Sequence, residues 1–170
     1  MSAVLAHFAR DENLPIKLHL MAVPAIDMRY CFEKHLDESN CPYESARLFQ
    51  FAPWSPMSRE TWYLDNWLPT DAKERQEALD SWIMTPMIAP DLRNLGRAHV
   101  VTAEFDLARD EAELYAQRLG EAGNNEVTVK RYAGMPHAFG YYVSRERGLE
   151  KAREYWNDCV EVIGRAHYEP

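Results

Sequence analysis

Two residues in this 170-residue chain sit where proton-transfer chemistry could be built. Asp106 ends the stretch HVVTAEFD, and His137 stands in YAGMPHAFG, between a glycine–proline turn and a run of aromatics. Each follows an apolar, β-branched run of strand character, RAHVVTAE at 97–104 and NEVTVKRY at 125–132. If these runs are parallel neighbours, about 4.8 Å apart, the loops leaving them share one rim, where open α/β sheets gather their site residues. A carboxylate beside a histidine fixes its tautomer and stabilises the imidazolium, as proton abstraction from a nucleophile requires. Spacing alone leaves a second reading open, in which each residue only caps a helix.

The elements that must position the pair are legible around it. Between the two runs, RDEAELYAQRLGEAG places Ala112, Tyr115, Ala116 and Leu119 on one helical face, with Asp110 and Glu111 suiting the helix dipole in its first turn. Strand, helix, strand is a βαβ unit, so the strands are expected to be parallel. From Ser144 onward a last helix is predicted, with Leu149, Ala152, Trp156, Val160 and Ile163 on its inner side. The first 23 residues read as a helix, SAVLAHFARDE, apolar around most of its circumference, then a third strand candidate, IKLHLMAV. Residues 24–90 differ. They hold most of the prolines and four tryptophans, Trp54, Trp62, Trp67 and Trp82, with short helices predicted at about 44–51, 58–67 and 71–82. This stretch reads equally as a lid over a substrate pocket or as packing for the sheet.

Composition narrows the partners. A formal net charge of −8 repels nucleic acid and anionic membrane surfaces, so neither is expected. No apolar run approaches membrane-spanning length, and the start lacks the basic head of a secretory signal; a cytoplasmic location is the expectation. Cys31, Cys41 and Cys159 are odd in number and lack metal-like spacing. Free thiols are favoured over a disulfide between Cys31 and Cys41. His35, Asp37, Glu38 and Cys41 fit no common metal site and read as a solvated loop, and His7 and His19 read as core-edge histidines. No glycine loop for phosphate or dinucleotide is present, and neither cofactor nor metal is expected.

The segment TPMIAPDLRNLGRAHVVTAEFDLARDEAELYAQRLGEAGNNEVTVKRYAGMPHAFG resembles the C-terminal part of the hormone-sensitive-lipase-like esterases, the α/β-hydrolase fold-3 family. The likeness rests on Thr85 and Pro86 ahead of the penultimate strand, on an acid motif matched over 103–119, and on a histidine motif matched over 134–139; VPAID at 23–27 adds to it. It departs at Ala138, where the family carries glycine, and at NLGRA, where it is richer in proline. The resemblance implies a partial α/β-hydrolase fold: C-terminal parallel strands, flanking helices and a helical insertion. It also implies a small-molecule ester substrate, Asp106 as triad acid and His137 as general base, in the chain order Ser…Asp…His.

No G-x-S-x-G occurs, and none of Ser2, Ser39, Ser45, Ser55, Ser58, Ser81 or Ser144 has the glycine flanks of a nucleophile elbow. Nor is there an HGGG-type stretch for an oxyanion hole. In the resembling family the nucleophile motif lies just upstream of a helix like SAVLAHFARDE, so Met1 is expected to fall a few residues past that serine. The chain then reads as one incomplete domain over 1–170: helix plus strand at 1–23, the excursion at 24–90, and the unit bearing acid and histidine at 91–170. It is expected to be inactive alone and to self-associate through an open sheet edge. Two further readings stand behind this one: a half-enzyme completed in trans by a separate N-terminal piece, and a non-catalytic interaction module.

Overall fold

Six successive residues, 98–103, are buried, which only a central strand covered on both faces permits. In the computed structural model, which describes residues 1–168, this is β2 (Ala98–Phe105), flanked by β1 (His19–Ala22) and β3 (Val127–Pro136). All pairings are parallel, in the order β1-β2-β3. His19 pairs with Ala98, and Ala98 with Val127.

Alternation along β2 sends Val100 to one core and Val101 and Ala103 to another. The first, larger core lies beneath α1 (Ser2–Asp11) and α5 (Arg109–Glu121). Its outer boundary is the 24–90 excursion, with α2 (Glu44–Phe49), α3 (Met57–Trp67) and α4 (Ala72–Leu79). The second core joins Tyr132 and Phe139 to α6 (Glu150–Tyr168). Helices therefore cover both faces of a parallel sheet. No helix among the described residues is long and apolar enough to cross a membrane.

Two local predictions are corrected. The last helix starts at Glu150 rather than Ser144, because 144–148 closes into a turn with Gly148 N–H donating to Ser144 O at 2.9 Å. Its buried side is Ala152, Tyr155, Cys159 and Ala166. Of the predicted inner stripe only Ala152 is buried, and Trp156, Val160 and Ile163 are 48%, 70% and 53% exposed. Small side chains at 152, 159 and 166 let the helix lie close to the sheet, and that geometry outweighs the larger apolar stripe beside it. The final strand also runs four residues beyond its predicted end, to Pro136, for a reason central to the site.

Candidate active site

β3 reaches past Tyr132 because it bulges. Ala103 pairs with Tyr132, but Phe105, two residues on, pairs with Pro136, four residues on. The surplus residues are absorbed at Gly134, which takes φ +76°, a left-handed conformation that glycine adopts without steric cost. Its N–H donates to the Glu104 carboxylate at 2.6 Å, pinning the bulge to β2. The bulge re-aims the end of β3 so that His137 turns back over β2.

After His137 the chain turns sharply again. Ala138 adopts φ +58°, ψ 20° and leads into a 3₁₀ turn, Phe139–Tyr141. Phe139, 2% exposed, sinks into the second core against Tyr132 and Tyr155. Trp156 Nε1–H donates to Gly140 O at 2.8 Å. Gly140 lies so close to α6 that a Cβ there would stand 2.7 Å from Tyr155 Cε1. The histidine thus sits between two left-handed residues, in a loop anchored to α6.

On β2, Asp106 is 1% exposed. Its Oδ1 accepts from Ala108 N–H at 3.0 Å, a side-chain turn that leads into α5. Its Oδ2 lies 2.9 Å from His137 Nδ1. Because a carboxylate only accepts, Nδ1 carries the proton and Nε2 is left with a lone pair. Burial disfavours the charged ring, yet the hydrogen bond and charge of Asp106, with Glu60 of α3 adding to them and Arg59 opposing, hold the His137 pKa above its ordinary 6.5. The structure therefore brings both sequence-predicted residues together.

No hydrogen bond joins a serine hydroxyl to His137 among the described residues. Ser45 is fully buried and structural, donating to Leu107 O at 2.9 Å and accepting from Asp110 N–H at 3.0 Å. Ser55 donates to Glu60 at 3.0 Å. Among the tryptophans, Trp82 packs on His7 and Phe8 under α1, whereas Trp54 borders a groove beside the histidine loop.

Glu111 does more than complement the helix dipole. Fully buried, it accepts from the N–H groups of Ile26 (2.5 Å) and Asp27 (3.1 Å) and from the Tyr30 hydroxyl. It thereby clamps the first leg of the excursion to α5. The signal was present in the helical period, since Glu111 stands one turn before Tyr115 on the buried face.

The family described as alpha/beta hydrolase fold matches residues 1–141. An arylesterase of Saccharolobus solfataricus is 41% identical over 86 residues, which are 48% of this chain and 28% of that protein. Hormone-sensitive lipase of Mus musculus is 33% identical over 82 residues, 47% of this chain and 10% of its own length. The solved structure of a hyperthermophilic esterase from the archaeon Pyrobaculum calidifontis superposes with a TM-score of 0.72 at 28% identity, covering 96% of this chain and 47% of that one. In each case this chain spans less than half of the relative's length.

Proposed function

This chain belongs to the α/β-hydrolase fold-3 family of esterase- and lipase-like hydrolases, and on that premise we propose that Asp106 and His137 are the acid and general base of a serine carboxylic-ester hydrolase whose nucleophile and oxyanion donors lie outside these 170 residues. The observation that carries the reading is the 2.9 Å contact between His137 Nδ1 and Asp106 Oδ2, which leaves Nε2 without a hydrogen-bond partner among the described residues. In the reaction, Nε2 takes the proton of an attacking hydroxyl as that oxygen bonds to the ester carbonyl carbon. Asp106 stabilises the resulting imidazolium. Nε2–H then gives the proton to the departing alkoxide as the carbon–oxygen bond breaks. Water, activated by the same nitrogen, releases the acid.

Without a nucleophile, turnover falls by on the order of a million-fold, and each missing oxyanion donor removes about 3 kcal/mol more. The chain alone is therefore inactive on short p-nitrophenyl esters. Supplying in trans an N-terminal piece with the G-x-S-x-G serine and an oxyanion loop restores turnover, and His137→Ala or Asp106→Asn abolishes it again. Restored turnover indifferent to His137→Ala would overturn the assignment.

The same reading makes the outer edge of β1 the place where further strands pair. Among the described residues β1 has a neighbour on one side only, and α1 above it exposes Leu5 and Phe8. An unpaired edge beside apolar side chains drives self-association. Sedimentation velocity reads this as concentration-dependent oligomers, and a monodisperse monomer counts against it.

A further inference from the structure

The geometry points to a ligand site that neither the triad residues nor the fold account for: we propose that the groove between Trp54, Phe105, Tyr142 and Leu149, with Arg147 at its rim, binds an aromatic or similarly flat apolar group that carries a carboxylate. Its volume of about 430 Å³ lies within the range of small-molecule clefts. Three separate stretches converge on it. Trp54 comes from the loop before α3, Phe105 and residues 134–136 from the ends of β2 and β3, and Tyr142, Arg147 and Leu149 from the loop before α6.

Four large apolar side chains are left 38% to 56% exposed around this one depression. Scattered singly such residues mean nothing; gathered around a cleft they mark a binding surface. The walls are already built. Phe105 is set edge-on by Phe49, with centroids 5.8 Å apart. Leu149 N–H donates to Tyr142 O at 2.7 Å, closing the loop that presents both side chains. Gly148 makes that closure possible, since a Cβ there would lie 2.3 Å from Ser144 O and 2.7 Å from Tyr142 O. On the opposite wall, Arg59 Nη1 donates to Trp54 O at 2.8 Å.

Charge supplies the rest of the ligand's description. No acidic side chain among the described residues lines the groove. Glu104, adjacent to its wall in sequence, is taken up by Gly134 N–H. No carboxylate among the described residues pairs with the Arg147 guanidinium. An aromatic-lined cleft with one open guanidinium suits an apolar body ending in a carboxylate, which Arg receives through paired N–H donors. Phe105 and Pro136 immediately precede Asp106 and His137, so the bound group would lie beside the reacting centre. As a substrate subsite it rests on the proposed ester hydrolysis. As a binding site it can be read without turnover.

The test is calorimetric titration of the full chain with hydrocinnamate, hydrocinnamyl alcohol and propionate. Saturable binding of hydrocinnamate is expected, with the ring-bearing alcohol and the ringless acid each at least about tenfold weaker. Arg147→Gln, an exposed substitution that leaves the fold intact, should weaken hydrocinnamate about tenfold and leave the alcohol unchanged. Trp54→Leu should weaken both, and His137→Ala neither. No saturable binding, indifference to Arg147→Gln, or loss with His137→Ala would overturn the groove assignment. Failure of trans-complementation with hydrocinnamate binding intact would sink the hydrolase reading and leave the groove standing.

Discussion

His137 Nδ1 lies 2.9 Å from Asp106 Oδ2, while the other oxygen of Asp106 is held by Ala108 N–H at 3.0 Å. The carboxylate is thus fixed before the imidazole reaches it. The net upward displacement of the His137 pKa depends on this contact overcoming burial. A base raised in the folded state contributes stability that is complete below its unfolded value near 6.5, and that contribution is lost as pH rises through the folded value. Asp106→Asn leaves burial opposed only by the charge of Glu60, so the His137 Cε1–H resonance should titrate below its ordinary value instead of above it. An unmoved NMR titration would mean that Asp106 does not set the charge state of the ring.

Ala138 gives a prediction from backbone geometry alone. Its φ of +58° costs an L-residue roughly 1–2 kcal/mol, of which glycine's greater freedom in the unfolded chain cancels part. Ala138→Gly should therefore stabilise the protein by on the order of 1 kcal/mol, and Ala138→Val should destabilise it by more. Urea midpoints check both; a lower midpoint for the glycine variant would contradict the left-handed assignment.

The acid and histidine motifs were legible because their residue types are unusual in combination. The strands were legible because β-branched runs bounded by turns have few alternatives. What escaped was geometry created by pairing. The bulge at Gly134 exists only because β3 meets β2 out of step, and no property of AGMP alone announces it. The inner face of α6 escaped because two heptad-like stripes lie side by side. Hydrophobicity favours Trp156, Val160 and Ile163, whereas close approach to the sheet selects Ala152, Cys159 and Ala166. Glu111 was legible in position but not in role, since its donors lie 81 to 85 residues away in sequence.

Gly140 and Tyr155 form a contact that a methyl group would break. A Cβ would fall 2.7 Å and 2.8 Å from the tyrosine ring, so Gly140→Ala should cost about 1–3 kcal/mol by overpacking. Combined with Tyr155→Leu, which clears that space, the added cost should shrink to a fraction. An equal penalty in both backgrounds, read by a double-mutant cycle, would place its cause elsewhere.

His19 should show the opposite pH dependence to His137. It is 4% exposed, both ring nitrogens lack partners among the described residues, and burial, helped by the charge of His7, pushes its pKa down to about 4. A base depressed in the folded state contributes stability that is present above 6.5 and lost as pH falls from there toward about 4. His19→Leu removes both orphaned atoms and should flatten that acid slope in urea midpoints measured across the window. A slope as steep as the parent's would assign the acid sensitivity to other groups.

Glu111 separates the need for an acceptor from the need for a charge. Burial pushes its pKa well above the ordinary 4.5, opposed by the N–H groups of Ile26 and Asp27 and reinforced by the charge of Asp27. For an acid raised in the folded state, the contribution to stability is complete below 4.5 and declines as pH rises through the folded value. Glutamine at 111 keeps an oxygen for the two N–H groups, and its amide N–H can donate to the Tyr30 hydroxyl oxygen. Glu111→Gln should therefore fold as stably as the parent at low pH and more stably at high pH. Glu111→Ala strands three buried donors, the N–H groups of Ile26 and Asp27 and the Tyr30 hydroxyl, and should cost about 2–4 kcal/mol, with faster hydrogen exchange at 26–30. If glutamine proves as damaging as alanine, the carboxylate is held for its charge, and the clamp between α5 and the excursion works by ionic attraction to groups beyond these three donors.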